Sequence, residues 1–455
     1  MNRSTIKFTK EKSGWTAVLL FVIYSFYYDL FDRFPNYIVS FSILIISSFL
    51  AVFSMTDGAR LLIKKSQIRY MAGWLFIMAF FLFIRNRWIE HDMWWRTVRW
   101  CWAILIVFCI MKFKNGWEGF FHKVALIGFP NVIATLFFFI FSNSYSVMHR
   151  IYGYWPGGTS NGKLGYKAGL TNHYSHNAIM ISVVLLIFVA EAYYYVLEKD
   201  KRKQRLLALI LAFISFFSLV LTAKRGHFLF CALTVFLGLM VCSANMSFAK
   251  KIRVIVILAL LTIVFLSIYE KVPELSRLIE RLSRSGEDYS SLSRFQMWKS
   301  ALELFSSNPV IGIGWGGFRY DSPFQIEAHN VYFQLLAETG VIGTAVYVIL
   351  NCRLVQLCLK NTRALIKNSS RDLVLPSICA LFIQVFYLLY SLTGNCLYDI
   401  TFCFYTLSIG TIYVCSAYRK KQLSQNNNMF TGKKMSVEDN ACEMERVWLI
   451  GKNDM

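Results

Sequence analysis

A polar, glycine-rich stretch between residues 294 and 343 holds side chains suited to binding an anion and to moving a proton. Arg294 opens it, and the planar guanidinium of arginine can hold a phosphate through two parallel hydrogen bonds. His329 follows, and imidazole changes its charge nearer to neutral pH than any other side chain. Because an ionisable residue is costly near lipid unless it is paired or in water, the position of His329 in a loop between apolar segments makes it the candidate catalytic residue.

A polar stripe follows His329 along the chain. Asn330, Gln334 and Glu338 recur at positions i, i+4 and i+8, which predicts one face of a helix that opens at His329-Asn330 and ends at Gly340. Such a stripe could orient the imidazole as a proton acceptor. A lone histidine is more often structural than catalytic, so a helix-capping role for His329 stays open beside the catalytic one.

The glycines of the same stretch predict tight or left-handed backbone. Gly312 and Gly314 carry the chain close to another group, because only glycine adopts such conformations freely. That group is either a ligand or a neighbouring helix. We favour the neighbouring helix, that is, a re-entrant turn packed on a helix, because a lone glycine-rich loop is a weak signal for ligand binding.

Arg294 itself is predicted to lie in a short amphipathic helix on the membrane surface. Ser291 or Ser293 is the expected cap, Asn308-Pro309 the expected end, and the helix places Arg294 in its first turn. The following residues supply the predicted apolar stripe: Phe295, Trp298, Leu302 and Phe305. Free amides at the start of a helix favour an anion, so Arg294 would add to an existing phosphate site. Anchoring to lipid headgroups is the alternative role.

Two other segments could contribute to the same site. Arg225 lies at the junction of two apolar runs, where it can hold an anion at headgroup level, while the neighbouring Lys224 can extend towards water. His173 and His176 are spaced for one side of a helical turn. With no carboxylate or cysteine close in sequence, we expect them to hydrogen-bond a sugar or the backbone rather than a metal.

The composition predicts the elements that must position these residues. The chain has 455 residues, of which 56% are hydrophobic and only 16% charged, which excludes a set of soluble domains. We predict an all-α, polytopic transmembrane bundle of about twelve spans, with one large extracytoplasmic loop that contains short amphipathic helices. The predicted runs are about 14–31, 37–55, 70–84, 98–112, 122–142, 173–196, 206–222, 227–243, 253–269, 341–358, 373–393 and 396–417.

The basic residues predict the orientation of this bundle. An N-terminus in the cytoplasm places most short Lys- and Arg-rich loops inside. One loop dissents by lying outside: it carries Arg85, Arg87, Arg96 and Arg99, whose charge is partly offset by Glu90 and Asp92. The predicted membrane domain covers 1–419, with its motifs in 220–345 and the large outer loop at 270–340. Residues 420–455 are polar and are predicted to be a disordered cytoplasmic tail.

Several classes of function lack their signals in this sequence. The net charge of +22 belongs to cytoplasmic loops, so it describes topology and predicts no nucleic-acid partner. The sequence has no P-loop or dinucleotide fingerprint, and its eleven cysteines are scattered singly without metal-like spacing. We therefore expect no cofactor and no metal.

Taken together, the motifs resemble the O-antigen ligase and polymerase superfamily of bacterial envelopes. The resemblance rests on Arg225, the Arg294…Trp298 pair, the turn at 308–314, His329-Asn330 and the run at 338–343. It implies a membrane glycosyltransferase of the C type in the inner membrane, inverting and metal-independent, with an undecaprenyl-diphosphate-linked glycan as donor. By this resemblance Arg225 and Arg294 hold the diphosphate, and His329 activates or positions the acceptor hydroxyl on the extracytoplasmic side.

The superfamily includes several acceptors: another lipid-linked repeat unit for polymerases, lipid A core for ligases, and protein for a third group. The Lys224-Arg225-Gly226 form and the lack of a recognisable pilin-binding segment favour a polymerase of capsule, exopolysaccharide or O-antigen repeat units, with a chain-length regulator as a further candidate partner. The alternative within the family is a ligase that transfers glycan to lipid A core. A flippase or transporter is the alternative from another class, but such proteins carry charges inside mid-membrane helices, whereas here they cluster at the outer edge.

Overall fold

A computed structural model describes residues 3–33, 37–56, 91–113, 116–117, 119–156, 165–198, 201–243, 289–367 and 371–430. Within these ranges all regular structure is helical, which confirms the predicted all-α class. The α-helices are α1 (Arg3–Arg33), α2 (Ile38–Met55), α3 (His91–Ile110), α4 (Phe120–Ile140), α5 (Ser146–Tyr152), α6 (Tyr174–Leu197), α7 (Arg202–Leu221), α8 (Arg225–Cys242), α9 (Tyr289–Ser307), α10 (Gly317–Asp321), α11 (Val331–Lys367), α12 (Arg371–Tyr390) and α13 (Thr401–Phe430).

Eight helices of the described part are long and apolar enough to cross a membrane. They comprise most of α1 and α12 and the whole of α2, α4, α6, α7, α8 and α11. Helices α3 and α13 coincide with two more predicted runs, 98–112 and 396–417. The runs predicted at 70–84 and 253–269 lie outside the described residues, so the total of about twelve spans stays a prediction.

The centre of the bundle is formed by α6 and α12. Both are largely apolar around their circumference, which is typical of helices surrounded by protein. In each of them, 83% of an 18-residue apolar stretch is buried. Helix α6 packs against α4, α7 and α12, and α12 packs against α8, α11 and α13. Helices α2 and α7 instead leave large apolar side chains exposed, among them Phe49 and Phe213 at 69% each. Such faces suit contact with lipid.

Helix α11 is broken at Gly340, where the predicted helix after His329 was expected to end. Gly340 has φ +62°, so a short helix precedes it and a segment of membrane-spanning length follows. The amide of Val341 donates to the carbonyl of Pro309 at 2.9 Å, and a Cβ on Gly340 would collide with the backbone of Val310. Glycine is therefore required by both conformation and close approach.

Helix α9 differs from its prediction at the start and on its buried face. It is helical from Tyr289, so Arg294 lies beyond the first turn and neither Ser291 nor Ser293 precedes the helix as a cap. Serine is tolerated inside helices, so its presence alone did not mark the start. Met297 and Ala301 form the buried face, whereas Phe295 and Leu302 are exposed. The end at Ser307, before Asn308-Pro309, is confirmed.

Two of the four arginines in the dissenting loop, Arg96 and Arg99, have acidic neighbours, whereas Arg85 and Arg87 lie outside the described residues. Arg96 of α3 forms an ion pair with Glu327, close in sequence to His329. Arg99, one turn further along α3, lies over the ring of Tyr28 at 5.8 Å and interacts electrostatically with Asp32. Each of these two arginines thus interacts with an acidic residue of the fold.

The C-terminal helix α13 continues to Phe430, into the segment that we predicted to be a disordered tail. Residues 431–455 lie outside the described residues.

Candidate active site

Side chains from several elements converge at one end of the bundle. His173 precedes α6, Lys224 precedes α8, Arg294 lies in α9, and His329 precedes α11. The charges of Arg294 and Lys224 both act on His329, and His173 is influenced by Lys224 and His329. The four residues, far apart in sequence, therefore form one electrostatic cluster. Since α6 and α8 also begin here, their amino ends add partial positive charge.

The loop that carries His329 is held on both sides. The amide of Ala328 donates to Gln334 Oε1 at 3.0 Å, and the Ala328 carbonyl accepts from Trp298 Nε1 at 3.0 Å. On the other side, Asn330 Nδ2 donates to the carbonyl of Leu392 at 3.0 Å. These bonds hold His329 in the left-handed region, with φ +52°, which is uncommon for a residue other than glycine and marks a fixed backbone.

His329 is uncharged at neutral pH. Burial is the main cause, and together with the charges of Arg294 and Lys224 it lowers the pKa of His329 to about 4, although Glu327 acts in the opposite direction. Glu327 itself is paired with Arg96 and lies 3.6 Å from Arg319, and these cations hold its pKa below the usual value despite burial. The imidazole is thus a neutral group placed beside two cations.

Asn330 caps the helix that follows His329. Its Oδ1 accepts from the amides of Tyr332 at 3.0 Å and Phe333 at 3.1 Å, which is the arrangement of a helix N-cap. His329 stands one position before this cap. The structural alternative left open by the sequence, in which His329 itself caps the helix, therefore has no support in this geometry.

The rest of the polar stripe joins α11 to its surroundings. Glu338 is fully buried, and its Oε1 accepts from Gln334 Nε2 at 3.0 Å and from the amide of Phe318 at 3.3 Å. Its Oε2 accepts from the Tyr398 hydroxyl at 2.5 Å. A carboxylate buried in this way needs such partners. Glu338 therefore links α11, α10 and the loop before α13.

The glycine turn packs against α11. The amide of Gly314 donates to the Glu338 carbonyl at 2.9 Å, and that of Ile313 to the Ala337 carbonyl at 2.9 Å. Gly312 has φ +69°, and a Cβ there would collide with the backbone of Glu338. The geometry supports the interpretation of this turn as a re-entrant segment packed on a helix.

Lys224, to which the sequence assigned only a tendency to extend towards water, lies in the cluster. Its Nζ is 4.0 Å from the centre of the Tyr174 ring. Arg225 is the first residue of α8 and is half-buried. His227 is 4% exposed, and its Nε2 is buried without a hydrogen-bond partner among the described residues. An unpaired buried polar atom costs about 1–3 kcal/mol, so it marks a place where a ligand or water would be accommodated.

His173 and His176 have different environments. His173 Nδ1 accepts from the amide of Ser175 at 3.1 Å, and burial, assisted by His176 and Lys224, lowers the pKa of His173 to about 3. His176 Nδ1 lies 3.1 Å from Asp29 Oδ2. No carboxylate is close to these histidines in sequence, but α1 brings Asp29 to His176 from 147 positions away.

Four contributors were missed by sequence reasoning: Asp29, Lys224, Glu327 and Tyr398. Asp29 had a signal, since it is a carboxylate near the end of an otherwise apolar run, and such residues are seldom neutral to function. Tyr398 had no such signal, because a single tyrosine does not stand out in a chain rich in aromatic residues. Among the described residues, no group of three or more His, Cys, Asp and Glu side chains is arranged to hold a metal ion.

Comparison with known proteins finds a similarity to one family in the central part of the chain. Residues 210–348, which include Lys224, Arg225, Arg294 and His329, match the family model described as O-antigen ligase. No curated protein matches the chain at a significant level. The matched residues and the helical, membrane-spanning fold support an O-antigen ligase/polymerase family, whose members are membrane proteins that act on lipid-linked glycans in the synthesis of cell-surface polysaccharide.

Proposed function

We propose that this protein is a glycosyltransferase that polymerises undecaprenyl-diphosphate-linked oligosaccharide units at the outer face of the cytoplasmic membrane. One observation carries the proposal: Arg294 and Lys224 act together on a half-buried, neutral His329 within the segment that matches the family model. Two cations beside a neutral imidazole suit a reaction in which an anion leaves while a hydroxyl loses its proton.

The cations would hold the diphosphate of the donor. Arg294 offers a bidentate fork, and Arg225 with Lys224 lies at the start of α8, where the helix end adds further positive character. The unpaired Nε2 of His227 lies beside the same charges, since Arg294 and Lys224 both act on it. Fixed cations stabilise the charge that develops on a departing lipid diphosphate, so no metal is required for this role.

His329 would act on the acceptor hydroxyl. The acceptor oxygen forms a bond to the anomeric carbon of the donor, the bond from that carbon to the diphosphate breaks, and the hydroxyl proton passes to the imidazole. Attack from the side opposite the leaving group inverts the anomeric centre. This route uses only the donor, the acceptor and side chains of the chain.

The two halves of the site would be coupled by charge. The pKa of His329 is about 4 partly because Arg294 and Lys224 disfavour its protonated form. A bound diphosphate offsets those positive charges, which makes the imidazole a stronger base. The acceptor would therefore be activated only when the donor is in place.

The proposed orientation follows from the basic loops. They favour the extracytoplasmic side for the cluster, which is where lipid-linked repeat units would be used. The cluster residues also lie before or near the starts of helices rather than midway along them. A transporter would be expected to carry charges along a central path. This difference favours transfer over transport.

Reconstituted protein tests the proposal. The full chain in nanodiscs receives lipid-linked repeat units purified from the producing cell, without and with lipid A core as a second acceptor. We expect a ladder of products from repeat units alone. Product only when lipid A core is present would show a ligase instead, and no product with either acceptor would reject glycan transfer.

A further inference from the structure

We propose that Asp29 and His176 form a subsite that binds a hydroxyl group of the acceptor glycan. Asp29 fixes the imidazole, and His176 Nε2 hydrogen-bonds the hydroxyl of the sugar. This inference rests on the proposed function, and it adds a second contact for the acceptor beside the reacting hydroxyl at His329.

Asp29 and His176 come from two helices, α1 and α6, and hydrogen bonds hold them in place. Asp29 of α1 is 6% exposed, and its Oδ2 accepts from the amide of Asn172 and from His176 Nδ1, each at 3.1 Å. The Tyr28 hydroxyl lies 2.6 Å from the same ring nitrogen. A carboxylate buried at this depth is costly without such partners, so the arrangement constrains the imidazole strongly.

The hydrogen-bond pattern determines which ring nitrogen is available. Nδ1 of His176 lies within hydrogen-bond distance of both Asp29 Oδ2 and the Tyr28 hydroxyl, so it is occupied by the protein. Nε2 is the nitrogen left for a sugar hydroxyl, which can both donate and accept a hydrogen bond. No described residue hydrogen-bonds Nε2, and 26% of the His176 side chain remains exposed. The ring is therefore anchored at one nitrogen and open at the other.

The charges around the pair suit an uncharged polar ligand. Asp29 and Asp399 both act on His176, with Lys224 as the opposing cation, and Arg99 lies over the ring of Tyr28. Two carboxylates would repel a diphosphate, whereas a sugar hydroxyl carries no charge. This side of the cluster is thus unlike the side formed by Arg294 and Lys224.

The position of the pair connects it to the site of transfer. The His176 and His173 rings are 5.8 Å apart, and His173 in turn is influenced by Lys224 and His329. Asn172 Oδ1 is also buried without a partner among the described residues, which offers a second acceptor beside Asp29. A glycan that reaches His329 with one hydroxyl could place a neighbouring hydroxyl against His176.

The test measures binding and transfer separately. The probe is the lipid-free oligosaccharide released from the cell's own lipid-linked repeat units, and its binding to the full-length protein is followed by saturation-transfer NMR. The variant is His176→Asn, because the Asn amide can still donate to Asp29 but nothing replaces Nε2. We expect about tenfold weaker oligosaccharide binding, the usual effect of losing one hydrogen bond to a buried, oriented group. The acceptor KM should rise by the same factor, with donor KM unchanged.

The matched control is His122→Asn. His122 Nδ1 lies 3.0 Å from Glu191 Oε1, so it is a second histidine–carboxylate pair that also uses α6, near the other end of that helix. The control should bind the oligosaccharide as the wild type does. Unchanged binding by His176→Asn at a wild-type thermal midpoint would overturn the subsite, and so would equal losses in both variants. Absence of transfer by the wild-type protein would reject the proposed function, while the binding comparison would still decide the subsite.

Discussion

The proposed site has two walls, a proposed donor wall and a proposed acceptor wall, that differ in charge and in their place along the chain. The donor wall, formed by Lys224, Arg225, Arg294 and His329, lies inside the segment that matches the O-antigen ligase model and is rich in positive charge. The acceptor wall, formed by Asp29, His173 and His176, lies outside that segment and contains a buried carboxylate.

This difference suggests a division of labour within the reaction. A lipid diphosphate is the same in every donor of the proposed kind, so the wall that holds it can be shared across a family. The acceptor glycan differs from one polysaccharide to another, so the opposite wall has reason to diverge. The family match over the donor wall alone is what such a division predicts.

Loss of the guanidinium fork in the donor wall should have the largest effect. Arg294→Lys keeps the charge but not the two parallel hydrogen bonds, and we expect transfer to fall about 100-fold, the scale for removing one preorganised group from a charged transition state. Lys299→Ala is the control, because Lys299 lies on the same helix and is exposed. Rates from purified donor in nanodiscs check this. Equal rates for wild type and Arg294→Lys would reduce Arg294 to an anchor.

Replacement of His329 should abolish most of the chemistry without unfolding the loop. His329→Asn suits its φ of +52°, because Asn adopts left-handed backbone more readily than most residues. Asn cannot accept a proton near neutral pH, so the transfer rate should fall at least about 100-fold. Thermal midpoint and donor binding should stay near the wild-type values. Full activity of this variant would remove His329 from the reaction.

The backbone contact that supports the donor wall can be tested through stability. Gly340→Ala combines left-handed strain with a collision against Val310, and together these should cost more than about 3 kcal/mol. Gly119→Ala is the matched control, since Gly119 has φ +69° with open space around its Cβ position, and should cost about 1–2 kcal/mol. Thermal unfolding in detergent measures both. Similar midpoints would show that the turn at 309–314 does not press on α11.

The half-buried imidazoles of His329 and His173 should make the protein less stable in mild acid. The pKa of His329 is about 4 and that of His173 about 3, whereas an unfolded histidine has about 6.5. At pH values between the folded and the unfolded pKa, these histidines bind protons in the unfolded chain but not in the folded one. The free energy of unfolding should therefore fall as pH drops from about 6.5 to about 4. The His329→Asn variant should show a shallower decline in thermal midpoint. If the thermal midpoint of His329→Asn falls as steeply with pH as that of the wild type, groups other than His329 cause the loss of stability.

Periodicity and local spacing were sufficient for much of the structure. The break at Gly340 and the end of α9 at Asn308-Pro309 could be predicted, because glycine and proline act through the local backbone. The sequence placed the start of helix α11 at His329-Asn330 but could not show which of the two residues is the N-cap. The start of α9 could not be found, since serine is compatible with both cap and helix interior.

The contacts between distant segments could not be predicted. Nothing near His176 in the sequence points to Asp29, and nothing near Arg96 points to Glu327, because each pair is created only when separate helices pack. The same holds for Tyr398 and Glu338. Local sequence thus indicated which residues could do chemistry, whereas tertiary packing determined which of them are charged, oriented or buried.

The most direct test of the donor wall is the titration of His329 with and without an anion in place of the lipid diphosphate. The full-length protein, labelled with ¹⁵N-histidine, is titrated by NMR in detergent with inorganic pyrophosphate, and His329→Asn assigns the signal. The account predicts a midpoint near pH 4 in the free protein, a higher midpoint when pyrophosphate is bound, and loss of that increase in Arg294→Ala. A midpoint that saturating pyrophosphate leaves unchanged, or an increase that survives in Arg294→Ala, would contradict it.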